Sequence, residues 1–292
     1  MKKIFLLLIF LIILGACNDG DVIVTSFDFT DEELNNCGEP GGYVLFKINN
    51  STFESISLSL NTTNEIFEIE EVQNFNLNGE GNIVNYRKYS GAIEADYFCA
   101  NVPPTSPSVN SEYIGASGEV VITNTITLDD EDGIVEEISD LDTDGDLLLD
   151  YYDFDDDGDN VPTLIELGAD FINGLTDMPL NSDPLVDDIP DYLDPDDDGD
   201  GVLTRDEDLN SNQDPTDDLT DGVPNYLNAN VQDETVATAY RVHTYNYKSD
   251  LSVVLKNIVL INGIDEITEE TMDLGIKTGN IIEDRTVTPD FE

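Results

Sequence analysis

The chain has 292 residues, of which 64 are acidic and 11 basic, giving a formal net charge of −53, while 39% of its residues are hydrophobic. That length and apolar content suit one or two domains with real cores rather than a disordered chain. A surface so negative repels phosphate backbones and anionic headgroups, which excludes nucleic acid as a partner, and it attracts cations.

The N-terminal stretch MKKIFLLLIFLIILGAC places Lys2 and Lys3 before an apolar run from Ile4 to Leu14. The run is too short to cross a bilayer as a helix but suits the core of a signal peptide. Its ending, Leu14-Gly15-Ala16-Cys17, resembles a bacterial lipobox. The resemblance implies cleavage after residue 16, a lipid on Cys17 and attachment to the membrane through that lipid alone. Asn18 follows the cysteine. By the sorting rules of such lipoproteins, it points to the outer membrane or cell surface.

From residue 17 to 128 the pattern has period two. Ile56, Leu58 and Leu60 alternate with Ser55, Ser57 and Ser59, and Val120, Ile122, Ile126 and Leu128 alternate with threonines. Between the runs stand CGEPGG, NLNGEGN and NVPPTSPSVN. This is the pattern of a half-buried antiparallel sheet, so the expected class is mainly β, a sandwich-like region with serine and threonine on its wet face. Cys37 and Cys99 are a candidate disulfide in an oxidising compartment, the alternative being two buried thiols. A bridge there closes a loop of about 63 residues, worth ~4 kcal/mol in the chain-entropy model.

More than half of the 64 acidic residues lie between Asp129 and Asp221, where Arg205 is the lone basic residue. The acids are spaced by rule. A calcium loop of the pattern D-x-[DN]-x-[DN]-G-x5-E turns alternate side chains inward, bends at position 6, offers a carbonyl at 7 and ends on a carboxylate at 12. Asp196, Asp198, Asp200, Gly201, Val202 and Glu207 fit it in full, and Asp155, Asp157, Asp159, Asn160 and Glu166 fit with Asn at the bend. A related unit begins 13 residues before each. One holds Asp142, Asp144, Asp146, Asp150 and Asp153, with Leu147 in the glycine position; the other holds Asp183, Asp187, Asp191 and Asp194, with Asp188 there. Looser units follow at Asp208, Asn210 and Asn212 and at Asp217 and Asp221. Tyr151-Tyr152, Tyr192-Leu193 and Tyr226-Leu227 recur at equivalent places, as a small apolar spine would.

The stretches IPDYLDPDDDGDG and DTDGDLLLDYYDFDDDGDNVPT resemble bacterial thrombospondin type 3 repeats. The resemblance covers residues 129–230 and implies short aspartate loops wrapped around several calcium ions, with little regular structure. Pro162, Pro184, Pro190, Pro195, Pro215 and Pro224 argue against paired EF-hand helices, leaving room for one helical turn near Leu164–Leu167 that stops at Gly168.

Beyond residue 231, VATAYRVHTYNYKS and LSVVLKNIVLING read as strands again, either completing the N-terminal sheet or forming a small separate module. No catalytic constellation is legible. The chain has one histidine, His243, read as a packing or surface residue, and Asn78-Gly79-Glu80-Gly81 lacks the lysine of a phosphate loop. The expected protein is therefore a non-enzymatic, calcium-binding lipoprotein of the cell envelope. Its β region would bind another envelope protein or a glycan, and its repeats would act as a calcium-stiffened spacer. The competing expectation is an envelope hydrolase or carbohydrate-processing protein that calcium merely stabilises.

Overall fold

The computed structural model describes residues 28–134, 140–183 and 188–291. The signal segment, Cys17 and Asp187 lie outside these. The strands in chain order are β1 (Asn35–Cys37), β2 (Tyr43–Asn49), β3 (Glu54–Leu60), β4 (Gln73–Leu77), β5 (Ile83–Tyr89), β6 (Val109–Asp129), β7 (Leu219–Thr220), β8 (Val223–Pro224), β9 (His243–Asn262) and β10 (Asp265–Val287), with a helical turn at Asp96–Cys99 between β5 and β6. The protein is mainly β. One antiparallel sheet runs β1-β2-β3-β5-β6-β9-β10, with β4 paired to β6 as well, and curls into a nearly closed barrel.

A barrel forms, rather than a two-sheet sandwich, because the long strands are bent where the pairing slips. Between Ser117 and Glu119 of β6 the register against β9 shifts, and Asn257 in the facing strand takes φ 50°. The core positions of β9 change parity at that point, from Leu251, Val253 and Leu255 to Ile258 and Leu260. A bulge that inserts one residue does both things at once: it exchanges faces and sharpens the bend. Gly118 allows it, since a Cβ there would lie 2.9 Å from the Ile258 side chain and 3.1 Å from Leu77.

The barrel is filled by Leu45, Ile56, Leu58, Val84, Tyr86, Val120, Ile122, Leu251, Val253 and Leu274, among others, so the strands after residue 231 complete the N-terminal sheet. Each such side chain contributes roughly 1.5–3 kcal/mol by leaving water. The wet serine face expected of β3 is instead covered. Ser55 and Ser57 are buried beneath the excursion 90–108, where Phe98 stacks on Phe46 at 4.3 Å and the Ser55 hydroxyl meets the Tyr89 hydroxyl at 3.0 Å. The Cys37–Cys99 disulfide pins that excursion to the β1 edge.

Past Ile122, β6 is paired with β9 alone among the described strands, and β9 with β10 on its other side. The Asp-rich segment is inserted at the end of the β6–β9 pair, leaving from Asp129 of β6 and returning at His243 of β9. The return path, residues 231–242, lies along the insertion: Ala237 N donates to Asp206 Oδ1 at 2.7 Å and Arg241 N donates to Asn160 Oδ1 at 2.8 Å. Within the insertion regular structure is sparse. Short 3-10 turns sit at Asp150–Tyr152, Asp191–Leu193 and Asn225–Leu227, which places the recurring aromatic pairs in equivalent turns. Two helical turns span Thr163–Glu166 and, beyond Gly168, Ala169–Ile172, so the helix near Leu164 does not end the helical stretch as expected.

Candidate metal centre

The two full loops are built alike, 41 residues apart. In each, the first aspartate caps its own bend: Asp155 accepts from Asp159 N and Asn160 N at 3.2 and 2.9 Å, and Asp196 accepts from Gly201 N at 3.0 Å. The second residue of each loop, Asp156 or Asp197, donates its amide to Thr163 or Thr204 Oγ1. Gly158 and Gly199 hold φ near 68° and 65°. A Cβ on them would run into the carboxylates of Asp144 and Asp183, at 2.3 and 2.6 Å. Each loop therefore nests against an acid of the unit before it, through a bend that glycine alone fits without a clash.

These bends gather carboxylates in three groups. Asp157, Asp159 and Glu166 meet Asp197, with one oxygen from each falling within 4.8 Å of the others; Asp142, Asp144 and Asp146 form a second group, and Asp196, Asp198 and Asp200 a third. Opposite ligands on a calcium ion stand about 4.8 Å apart at bond lengths near 2.4 Å, so each set fits one coordination sphere. The first group is the most confined. Asp157, Asp159, Glu166 and Asp197 are 5%, 0%, 2% and 1% exposed. Both carboxylate oxygens of Asp157, Glu166 and Asp197, and Oδ2 of Asp159, are buried with no hydrogen-bond donor. Buried ionised oxygens in that state are strongly disfavoured unless a proton or a cation joins them. Arg205 acts on Asp159 only through space, its guanidinium lying over the Phe291 ring at 5.4 Å.

The carboxyls respond as this crowding requires. Burial pushes Asp159 up to about 7, opposed by the hydrogen bond from Val161 N. Burial, reinforced by the Asp159 charge, holds Asp157, Glu166 and Asp197 well above the usual carboxylate range. Glu207 is raised to about 8 by burial and then by Asp198, Asp200 and Asp196, so it faces the third group as a position-12 acid does. Asp144 rises to about 7, and Asp146 and Asp198 to about 6, again chiefly by burial.

The remaining expected ligands are placed otherwise. Asp150 and Asp191 are clamps: each takes the backbone N–H and hydroxyl of a preceding Thr143 or Ser182, at 2.6–2.9 Å. Asp153 and Asp194 accept from the amides of Asp155 and Asp196 at 3.1 Å. Asp183 packs on Gly199 as Asp144 packs on Gly158, which makes it the counterpart of Asp144 rather than the opening residue of a loop. Leu147 and Asp188 do take the left-handed bend of position 6, with φ 82° and 74°. Val202 donates its amide to Asp200 Oδ1 at 2.9 Å.

In the looser unit, Asp208 caps its bend through Asn212 N and Gln213 N, while the Asn210 and Asn212 amides donate to Asp217 at 2.8 and 2.9 Å. That acid is paired inside the protein. Asp221, with Gly222, forms the two-residue turn between β7 and β8, both at positive φ, as Asp-Gly turns in hairpins do.

Two side chains at these clusters lay outside the sequence reading of the loops. Asp197 occupies an even loop position, pointing away from its own loop and into the preceding one; the shared DDDGD of the two loops was the available signal. His243 is fully buried beside Asp153 and Asp146, the packing rather than the surface alternative. No protein-family model, curated protein or solved structure matches the chain.

Proposed function

We propose that this is a calcium-binding protein of the bacterial cell envelope, held to the membrane by lipid on Cys17. In this reading the Asp-rich insertion folds around several calcium ions, and the barrel-like sheet is the module that binds another envelope protein or a glycan. The observation that carries it is the group Asp157, Asp159, Glu166 and Asp197, four buried carboxylates of which seven of the eight oxygens lack a donor. An all-oxygen set of this size matches a hard cation that takes six to eight oxygens, and calcium tolerates its irregular geometry better than magnesium, which demands a near-ideal octahedron. Because the ligands repel one another without an ion, binding and folding of the insertion are coupled. The role is structural and adhesive, with no bond made or broken.

Calorimetric titration of the chain from Asn18 onward, followed by circular dichroism against a chelated control, tests this. Saturable uptake of several calcium ions with compaction is expected, and no uptake at millimolar calcium would sink the reading. For the anchor, Cys17→Ser should move the protein from the membrane fraction to the soluble one; unchanged membrane association would remove the lipid from the account.

A further inference from the structure

We propose that Asp146, Asp153 and His243 form a second kind of metal site, for a transition-metal ion of the zinc class, which ties β9 to the Asp-rich insertion. Donor atoms of the three lie within 4.8 Å of one another. His243 is 0% exposed, and neither ring nitrogen has a hydrogen-bond partner; Asp146 Oδ2 is likewise buried and without a donor. A plain buried ion pair would align one N–H on a carboxylate and give the other nitrogen an acceptor. Here Nδ1 approaches Asp153 Oδ1 at 2.7 Å without hydrogen-bond alignment, and the nearest carboxylate to Nε2, Asp155 Oδ2, stands 4.0 Å off.

The imidazole sets this site apart from the calcium loops, although Asp146 belongs to the second carboxylate group as well. Calcium selects oxygen, whereas an imidazole nitrogen with two carboxylates suits zinc and its neighbours, leaving a fourth position for water. Around zinc, bonds of 2.0–2.2 Å set nitrogen–oxygen edges of about 3.4 Å, so the 2.7 Å edge between His243 and Asp153 opens by less than about 1 Å on loading. The Phe154 ring, 6.2 Å from the imidazole, walls the site on one side. Two ligands belong to the first Asp-rich unit and the third opens strand β9, so the ion bridges insertion and barrel.

The single histidine makes the test direct. The untagged chain, labelled with 15N in histidine and saturated with calcium, is titrated with zinc chloride while the ring nitrogens are followed by NMR. The expected result is a shift of one ring nitrogen, complete at one zinc per chain and retained in excess calcium. In H243Q that zinc equivalent is lost while calcium uptake, measured separately, is unchanged. An imidazole signal unmoved by zinc, zinc displaced by calcium, or equal zinc uptake by H243Q would each overturn the assignment. The imidazole reports on zinc whether or not the loops take calcium, so the two readings fail separately.

Discussion

Replacing Asp197 by Asn should change the sign of its effect on stability when calcium is added. In the absence of metal, Asp197 shares a volume within 4.8 Å with Asp157, Asp159 and Glu166. Each pair of ionised carboxylates at that distance repels by about 3.5 kcal/mol at an effective dielectric near 20. Proton uptake already relieves much of this, since burial raises Asp159 to about 7 and holds its neighbours well above the usual carboxylate range, so the net relief from Asn is ~1–2 kcal/mol near neutrality. With roughly 2–4 °C per kcal/mol for a chain of this size, the Tm in chelator should rise by about 2–8 °C. In calcium the same change removes one charged ligand, and a tenfold loss of affinity corresponds to about 1.4 kcal/mol, so the Tm should fall. Thermal unfolding in chelator and in millimolar calcium measures both. If Asp197→Asn lowers the Tm equally in the two conditions, Asp197 is only a packing residue and the cross-loop site is refuted.

The pH response should invert in the same way. Asp144, Asp159 and Glu207 have folded values near 7, 7 and 8, above their unfolded values near 4, so their contribution to metal-free stability is full below about pH 4 and is lost as pH rises to about 8. Calcium affinity, which requires the carboxylates, should increase over that window; a metal-free protein that gains stability from pH 5 to 8 would contradict it. Leu147, at φ 82° and 84% exposed, pays for no contact, so Leu147→Gly should raise stability by up to about 1 kcal/mol in calcium, and a loss in denaturant titration would show that its side chain packs. Replacing Cys37 and Cys99 by serine opens a loop of 62-residue separation and should lower the unfolding free energy by ~4 kcal/mol in urea, a loss below 1 kcal/mol showing that the Phe46–Phe98 stack, the Asn50–Ile93 hydrogen bonds and the Tyr89–Tyr97 contact hold the excursion 90–108 without it.

What was legible in the sequence divides by the range of the signal. The loop positions of Asp157, Asp159 and Glu166 are set by local alternation, and the structure brings those three together. Asp197 and His243 are contributed by other parts of the chain, and a ruler laid along one loop at a time cannot see a side chain that arrives from outside it. The strands were readable by their period, yet their closure into a barrel was not. It depends on bulges at Gly118 and Asn257, although the change of parity within LSVVLKNIVL marks the second of them. The burial of Ser55 and Ser57 follows from the excursion folding back over β3, a contact fixed by the disulfide and by Phe98. Asparagine in place of aspartate at 210 and 212 could be read as a weakened ligand; in the structure the amides also silence Asp217 by donating to it.

The insertion leaves and re-enters through neighbouring strands, since Asp129 of β6 faces Asn246 of β9 across the ladder. Adjacent strands lie about 4.8 Å apart, so its two stems are stapled side by side. Tension drawn between the ends of the chain would thus pass along β6 and β9 and leave the aspartate loops slack. The Asp-rich part is a side arm, and a single proteolytic cut within it would leave both flanking strands in the sheet.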